Sequence, residues 1–371
     1  MEWSPQQEAA IKKAQGWLRD KSAPQVHYIA GYAGTGKTTL AKEVAGDQEK
    51  VLFGAYTGKA ASVMRKKGCD EASTIHSMIY RIKKGDDGQP LDPMEFELNG
   101  DSDVTRAKLV IIDECSMVGA DLGRDLLSFG TKVLVIGDPA QLPPVQSAGF
   151  FTNREPDTML TEVHRQARDN PIIRLSMEIR EGRQLQPGAY GETMVVEQNK
   201  TIPEWLAGQV MSADQIIVGL NRTRVSYNKR LREMKGMKGH NNMPVKGDKL
   251  VCLKNDRRQE LLNGTLWYVV DAKNHQDIVH MKVANEDDAS DTRGVRVRRE
   301  FFQGTEASLE WQDKKGTQEF TYGYALTAHK SQGSQWNSIV VFDEGASFRD
   351  EAARWRYTAI TRAAERVTVI I

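Results

Sequence analysis

An eight-residue pattern near the start of the chain constrains its fold more than any other feature. Gly31 to Thr38 read GYAGTGKT and fit the phosphate-binding pattern GxxxxGK[ST] at every fixed position. The apolar stretch Val26 to Ala30 precedes the pattern, and a run suited to the first turn of a helix follows it. A strand, a loop and a helix in this order predict backbone N–H groups that surround phosphate oxygens. We therefore predict a nucleoside triphosphate site.

The residue types of this loop indicate how the triphosphate is held. Glycines let the backbone approach phosphate oxygens, Lys37 can reach the β and γ phosphates, and Thr38 can ligate Mg²⁺. The predicted nucleotide-binding residues of the loop and helix start are Gly34, Thr35, Gly36, Lys37, Thr38 and Thr39.

Length, charge and cysteine content limit the class of protein. With 371 residues, the chain is long enough for two or three domains. Lys plus Arg number 51 against 50 Asp plus Glu, so a binding site for a polyanion must be a local patch. Cys69, Cys115 and Cys252 are odd in number and far apart, which argues against a disulfide framework or a zinc cluster. Neither a signal peptide nor an apolar run of membrane-spanning length is visible, so we expect a cytoplasmic protein without a membrane partner.

Alternating strands and helices predict an α/β first lobe over residues 1–158. Its predicted strands read as nearly continuous apolar runs, which is typical of a buried parallel sheet with helices on both faces. The predicted strands are 26–30, 51–55, 108–112 and 132–136, and the predicted helices include 5–19, 58–67 and 120–129. The rhythm fails between about 78 and 106, where Gly, Pro and Asp content predicts a small hairpin insert.

A second α/β lobe is predicted over residues 159–371. It contains predicted strands at 214–219, 338–342 and 366–371 and a basic helix at 223–235. An insert over about 240–320 reads as short strands (LVCL, LWYVVDA, IVHMKV, VRVRREFF) joined by turns, which predicts a small β-barrel.

Polar residues at two further strand ends complete a predicted catalytic edge. Asp113 and Glu114 follow the apolar run VII, where one carboxylate can hold Mg²⁺ through water and the other can polarise an attacking water. Gln141 follows a third strand and could contact the γ phosphate. A solvated, proline-rich turn explains Gln141 equally well on the sequence alone.

Eight segments in order resemble the motif set of superfamily 1 helicases, in particular the RecD-like branch (superfamily 1B) that includes the Dda-like phage enzymes. The resemblance covers residues 4–371, because SPQQEAAI is similar to the adenine-reading glutamine motif of that branch. The eight segments are GYAGTGKTT, AYTGKAA, STIH, IIDECSM, GDPAQLPPV, LTEVHRQ, YALTAHKSQGSQW and YTAITRA.

The resemblance implies two RecA-like domains, a hairpin pin in the first, an SH3-like barrel in the second, and ATP with Mg²⁺ as ligands. It implies that Gln7 reads the adenine and that Thr38 and Asp113 hold Mg²⁺. Arg165 and Arg362 match arginine fingers, whose guanidinium forks stabilise charge on a transferring phosphoryl group. The implied catalytic residues are Lys37, Asp113, Glu114, Gln141, Arg165 and Arg362.

The resemblance also implies a set of contacts to single-stranded DNA. Short hydroxyls, imidazoles and lysines suit a phosphate track without sequence preference. The implied residues are Thr57, Lys59, Thr74, His76, Thr327, His329 and Lys330. The two histidines could instead be partly buried structural residues. Tyr56 stands where the family usually has proline, which leaves the shape of that loop open.

Two further features have open alternatives. Phe96 resembles the base-stacking aromatic of the pin, although it could equally be a residue of a small core. A basic segment could line the DNA groove or could be a solvated helix face. Its residues are Arg222, Arg224, Lys229, Arg230 and Arg232.

Together these features predict an ATP-dependent helicase that moves on single-stranded DNA and opens forked duplexes in replication, recombination or repair. The 5′ to 3′ direction of movement is what the resemblance implies. The expected protein is a monomer in a bacterial or phage-infected cell, with single-strand-binding or replisome proteins as candidate partners. One alternative is a translocase subunit of a larger recombination complex that does not unwind alone. A second is a nucleotide-switched binding module, against which Glu114, Gln141 and the two arginines argue.

Overall fold

The computed structural model describes residues 3–46, 49–85, 95–144, 149–162, 170–198, 203–237, 239–256 and 258–371. The chain forms two compact units, Met1–Glu181 and Gly182–Ile371, each with its own central sheet. The division falls later than residue 158, the predicted end of the first lobe. The strand Thr158–Leu160 pairs with the strand Val26–Gly31 and therefore belongs to the first sheet.

The first unit contains a six-stranded parallel sheet and a separate two-stranded hairpin. Its strands are β1 (Val26–Gly31), β2 (Val51–Ala55), β3 (Ser73–Thr74), β4 (Tyr80–Ile82), β5 (Phe96–Leu98), β6 (Leu109–Asp113), β7 (Val133–Gly137) and β8 (Thr158–Leu160). Its helices are α1 (Pro5–Arg19), α2 (Lys37–Ala45), α3 (Gly58–Lys66), α4 (Ile75–Ile79), α5 (Ala120–Leu127) and α6 (Pro171–Arg180). The order of the parallel strands is β3-β2-β6-β7-β1-β8.

Strand β7 shows why this sheet is covered on both faces. Leu134 and Ile136 pack with residues of α1 and α2, whereas Val133 and Val135 pack with residues of α4 and α5. All five residues of β7 are buried, as expected for a central parallel strand. The predicted α/β class with a parallel sheet is confirmed.

The hairpin of the first unit consists of β4 and β5, which pair antiparallel with Ile82 opposite Phe96. It lies within the predicted insert, and residues 86–94 between the two strands lie outside the described residues.

The second unit contains a six-stranded sheet in which only the pair β9–β10 is antiparallel. The strands of the unit are β9 (Gly188–Tyr190), β10 (Thr193–Val196), β11 (Gln215–Val218), β12 (Lys249–Cys252), β13 (Leu266–His275), β14 (Ile278–Asn285), β15 (Thr292–Arg298), β16 (Phe320–Tyr322), β17 (Ala325–Thr327), β18 (Trp336–Phe342) and β19 (Ala363–Ile370). Its helices are α7 (Glu204–Ser212), α8 (Asn221–Met234), α9 (Glu300–Gln303), α10 (Trp311–Lys314), α11 (Ala328–Ser331) and α12 (Ala352–Ile360). The order of the six-stranded sheet is β17-β11-β18-β19-β10-β9.

The predicted insert of the second unit is an antiparallel sheet with the order β15-β14-β13-β12-β16. The predicted strand VRVRREFF is wrong in its second half. Strand β15 ends at Arg298, and Phe301 and Phe302 lie in the short helix α9, which buries both rings. The closure of this sheet into an SH3-like barrel stays a prediction. Among the described residues, none of the helices combines the length and the apolar composition that a membrane span requires.

Candidate nucleotide-binding site

The loop between β1 and α2 depends on glycine at three positions. Gly34 and Gly36 adopt φ angles of 79° and 75°, in the left-handed region that favours glycine. A Cβ atom on Gly31 would lie 2.7 Å from the Thr35 hydroxyl oxygen and 3.0 Å from the Leu160 Cβ atom. A side chain at Gly31 would therefore displace the loop from the sheet.

Hydrogen bonds inside the loop hold the Lys37 ammonium group over its own backbone. Lys37 Nζ donates to the Tyr32 carbonyl at 2.9 Å, and the Thr35 hydroxyl donates to the same oxygen at 2.8 Å. The Arg180 guanidinium lies 3.5 Å from the centroid of the Tyr32 ring, a cation–π contact that the sequence did not indicate. Two cations therefore contact Tyr32, Lys37 at its carbonyl oxygen and Arg180 at its ring.

Gln7, the predicted adenine reader, links α1 to this loop. Its Oε1 accepts from the Ser4 backbone N–H at 2.9 Å, and its Nε2 donates to the Thr35 carbonyl at 3.0 Å. The side chain is buried and completes a capping box with Ser4. This structural role was not among the predictions, although the spacing of Ser4 and Gln7 is the signature of a capping box.

Thr38 and Asp113, distant in sequence, meet at the carboxyl edge of the first sheet. The Thr38 hydroxyl donates to Asp113 Oδ2 at 2.8 Å, and the Glu114 backbone N–H donates to Asp113 Oδ1 at 2.7 Å. They meet because β6 and β1 flank β7 in the parallel sheet. A hydroxyl beside a carboxylate provides the hard oxygen donors that Mg²⁺ prefers, so the pair fits the predicted metal. Among the described residues, no cluster of three or more His, Cys, Asp and Glu side chains could hold a metal by itself.

Glu114 adopts an unusual backbone conformation directly after Asp113. Its φ of 53° and ψ of 43° are left-handed, which costs a residue other than glycine about 1–3 kcal/mol. Such strain is often found where a catalytic side chain must be aimed. The neighbouring Cys115 is a packing residue, because burial and the charges of Asp113 and Glu114 raise the pKa of its thiol well above the ordinary value.

Gln141 is held in a fixed turn and is not solvated. Its side chain is 7% exposed, which rules out the alternative of a solvated turn residue. The turn is fixed by Asp138, whose carboxylate accepts from the Ala140 N–H at 3.0 Å and whose carbonyl accepts from the Gln141 N–H at 3.2 Å. The buried Oε1 of Gln141 has no hydrogen-bond partner within the described part of the chain. This oxygen can accept a hydrogen bond from a ligand or a water.

Only one of the two predicted arginine fingers lies within the described residues. Arg165 lies outside the described residues. Arg362 is 5% exposed, and among the described residues it donates to three neutral acceptors: the Thr358 carbonyl at 3.0 Å, the Ser334 carbonyl at 3.3 Å and the Thr361 hydroxyl at 3.2 Å. Because these acceptors carry no charge, they do not neutralise the guanidinium, which can still pair with an anion.

The predicted DNA-contact threonines share one structural role. Thr57 lies just after β2, and Thr74 and Thr327 are the last residues of β3 and β17; each caps the short helix that follows it. Each hydroxyl accepts a backbone N–H of the first turn. Thr74 and Thr327 are buried, so a phosphate would meet the start of the helix more readily than their hydroxyl groups.

The remaining predicted DNA-contact residues differ in exposure. Lys59 is buried and Lys330 is exposed. His329 is half-buried, and burial lowers its pKa. His76 is exposed, with ring centroids 4.6 Å from Tyr80 and 4.8 Å from Phe96. Phe96 itself is 49% exposed on β5, so the alternative of a small-core residue does not hold.

The basic segment in α8 does not form a single surface, contrary to both interpretations of the sequence. Arg222, Lys229 and Arg230 are exposed, but Arg224 and Arg232 are buried. Arg232 forms a bidentate ion pair with the fully buried Asp248, at 2.7 and 2.8 Å. Helical periodicity turns these two arginines towards the unit's interior, where they cannot contact DNA.

Comparison with known proteins relates this site to a family. Residues 2–201, more than half of the chain, match the family model described as an AAA domain. Residues 322–370 match the model of the UvrD-like helicase C-terminal domain.

Two curated relatives are similar over nearly the whole chain. The ATP-dependent RecD2 DNA helicase of Deinococcus radiodurans is 28% identical over 96% of this chain and 50% of its own length. The conjugal transfer protein TraA of Rhizobium radiobacter is 27% identical over 91% of this chain and 30% of its own length. The chain therefore spans half or less of these relatives.

Solved structures share the fold at low sequence identity. A Pif1 helicase from Bacteroides bound to single-stranded DNA superposes with a TM-score of 0.59 and 17% identity, over 99% of this chain and 92% of the other. The Pif1 helicase of Candida albicans gives a TM-score of 0.55 and 18% identity, over 100% of this chain and 94% of the other. These likenesses describe the fold, a pair of RecA-like domains.

Proposed function

We propose that this chain, which belongs to the AAA-domain family and to the RecD-like helicases of superfamily 1B, hydrolyses ATP to move along single-stranded DNA and to separate duplex DNA. The observation that carries the proposal is the Thr38–Asp113 hydrogen bond beside the glycine loop. It joins the two residues that a nucleotide-bound Mg²⁺ requires. Lys37 and Glu114 are the chain neighbours of Thr38 and Asp113, and Gln141 lies in the turn after β7, the strand between β1 and β6.

Each residue of the site has a task that its position supports. Thr38 and Asp113 would hold Mg²⁺, which neutralises phosphate charge when bound. Lys37 exchanges its bond to the Tyr32 carbonyl for a phosphate oxygen. Glu114, aimed by its left-handed backbone, orients and polarises the attacking water, and the unpartnered Oε1 of Gln141 accepts from that water.

Gln7 would sense the nucleotide through a change of partner. Its amide already contacts the loop through the Thr35 carbonyl, so reading an adenine requires it to exchange at least one of its two present bonds. Arg362 would stabilise charge on the transferring phosphoryl group, and the predicted finger role of Arg165 is part of the same proposal.

Contacts to single-stranded DNA would be made in each unit by helix starts, those capped by Thr57 and Thr74 in the first unit and that capped by Thr327 in the second. Backbone N–H groups at such positions bind phosphate without reading sequence. The hairpin of β4 and β5, with Phe96 exposed on it, would serve as the pin that splits the duplex. Direction from 5′ to 3′, forked DNA as the substrate, a monomeric state, a cytoplasmic location and replisome or single-strand-binding partners belong to the proposal as well.

A strand-displacement assay with Lys37→Ala tests the proposal. We expect the wild-type chain to hydrolyse ATP faster when single-stranded DNA is added and to unwind forks with 5′ tails. Lys37→Ala should abolish both activities and retain affinity for single strands, because the substitution removes a phosphate ligand and no residue of the DNA track. ATP hydrolysis that ignores added single strands would contradict the motor. Unwinding only from 3′ tails would contradict the direction and leave the motor intact.

A further inference from the structure

The strands β13, β14 and β15 form a meander with one buried and one exposed face. Its inward rows, such as Ala272, Met281 and Val295, pack against the core of the second unit. Two adjacent outward rows face solvent. They are Asp271–Lys282–Gly294 and Lys273–His280–Arg296, and each row contains residues directly opposite one another in register. We call these six residues the outer meander face.

Three permanent cations lie close together on this face. Lys282 is the diagonal neighbour of both Lys273 and Arg296 in the strand register, and diagonal neighbours stand about 7–8 Å apart. His280 lies between Lys273 and Arg296 in the central strand. The only carboxylate among the six residues is Asp271, which lies opposite Lys282.

The basic residues of this face differ from the neighbouring arginines of the same sheet in their partners. Arg293, Arg298 and Arg299 each pair with a carboxylate. Lys273, Lys282 and Arg296 form no ion pair within the described ranges, and Arg296 donates instead to the Gly316 carbonyl at 2.7 Å. Asp271, opposite Lys282, offsets part of the repulsion among these cations, but Lys273 and Arg296 have no carboxylate in their row.

The outer meander face also has room for a ligand. A shallow depression of about 370 Å³ lies over it, lined by the six residues together with Met281 and Val295. Gly294 helps to open it, because a Cβ atom there would meet no atom within 4 Å. The depression is therefore bounded by cations and is open to solvent.

The chemistry of the face suits a phosphodiester backbone, and duplex DNA better than a single strand. Surfaces that bind single strands combine cations with aromatic platforms for the bases. Neither outward row contains an aromatic side chain other than the His280 imidazole, and the exposed Tyr268 lies beyond the bulge between Val269 and Asp271. Contacts to duplex DNA are dominated by phosphates and need no base stacking.

We propose that the outer meander face is a second DNA-binding surface, which holds the phosphate backbone of duplex DNA through Lys273, Lys282 and Arg296. It is separate from the proposed track for single strands and takes no part in ATP hydrolysis. Only the choice of DNA as the polyanion rests on the proposed function.

The test is binding of a short blunt duplex to the full chain, without nucleotide, over a series of salt concentrations. The variant is Lys273→Gln with Lys282→Gln, which leaves the backbone contact of Arg296 in place. Each phosphate contact contributes about 0.9 to the slope of log affinity against log salt. We expect the slope to fall by about 1.8, and the affinity near 0.1 M salt to fall up to about 60-fold.

A matched control carries the same change of charge elsewhere. Lys12→Gln with Lys21→Gln neutralises two exposed lysines of the first unit and should leave the slope unchanged. The proposal would be overturned if the slope were unchanged in the meander variant, or if both variants lost the same amount. An unchanged slope in the meander variant would leave an acidic protein as the class of partner that fits the face. ATP hydrolysis stimulated by single strands should be unaltered in the meander variant. If the meander variant lost this stimulated hydrolysis together with duplex binding, the outer meander face would not be a separate surface. If single strands did not stimulate hydrolysis in the wild type, the proposed motor function would be refuted, and the proposal of a DNA-binding face would not.

Discussion

Removing one partner of the buried Arg232–Asp248 ion pair should strongly destabilise the second unit. Arg232 is 4% exposed and Asp248 is fully buried. The Asp248 carboxylate also accepts from the Tyr324 hydroxyl at 2.9 Å and the Val245 N–H at 2.8 Å, and the Arg232 guanidinium lies 4.0 Å from the centroid of the Tyr322 ring. The pair therefore joins α8 to the edge of the inserted sheet at which β12 and β16 pair.

The magnitude follows from the charge that each substitution leaves behind. Arg232→Met leaves a buried carboxylate with two neutral donors, and Asp248→Asn leaves a buried guanidinium with carbonyl oxygens and a ring. Breaking a buried pair in this way costs about 3–5 kcal/mol. The double variant buries no charge but leaves the Tyr324 hydroxyl and other polar groups without their present partners, at a cost of about 1–3 kcal/mol. We therefore expect a favourable coupling energy of at least about 3 kcal/mol.

Urea unfolding of the wild type, both single variants and the double variant measures this coupling. Hydrogen exchange should locate the loss of protection in β12, β16 and α8, since these elements meet at the pair. Nucleotide affinity serves as the control, because the proposed nucleotide ligands of the first unit do not include either residue. Single variants that each cost less than about 1 kcal/mol, or a double variant equal to their sum, would refute the reasoning.

Two further predictions concern the first unit. Phe96→Ala should reduce unwinding much more than DNA-stimulated ATP hydrolysis, because Phe96 lies exposed on the hairpin and outside the nucleotide site. The matched control is Leu98→Ala, which removes the other exposed apolar residue of β5. Equal loss of both activities in Phe96→Ala would remove the pin from the proposal and favour a translocase that does not unwind alone. Burial lowers the pKa of His27 below 6.5, with Asp157 acting in the opposite direction. The unfolded chain then binds the proton first, so the free energy of unfolding should fall as the pH drops from about 6.5 through the lower folded-state pKa. His27→Gln should flatten that dependence between pH 7 and 5, and an unchanged slope would show that His27 does not titrate as its burial implies.

The loop residues of the candidate nucleotide site could be predicted from the sequence because they lie close together in it. The glycines at 34 and 36, Lys37 and Thr38 lie within one loop, where each residue type is dictated by backbone geometry and phosphate charge. Apolar runs at β6 and β7 predicted the buried parallel strands for a similar reason, since burial on both faces needs apolar side chains throughout.

The basic segment of α8 shows where such reasoning fails. Its composition suggests a continuous basic surface, yet Arg224 and Arg232 are buried while Lys229 is exposed. Whether an arginine faces solvent depends on which side of the helix meets the sheet, and that is a tertiary contact. The partner of Arg232 comes from a separate segment, so no local pattern contains the pair.

The class of fold, the family and the candidate triphosphate residues could all be predicted from the sequence, because they depend on periodicity and on short motifs. The tertiary structure was needed to show that Thr38 meets Asp113, that Gln7 ties α1 to the loop and that Lys273, Lys282 and Arg296 gather on the outer meander face. Each of these contacts depends on strand order or register, which brings together side chains from distant segments. No short stretch of the sequence contains both partners, so no local pattern can predict the contact.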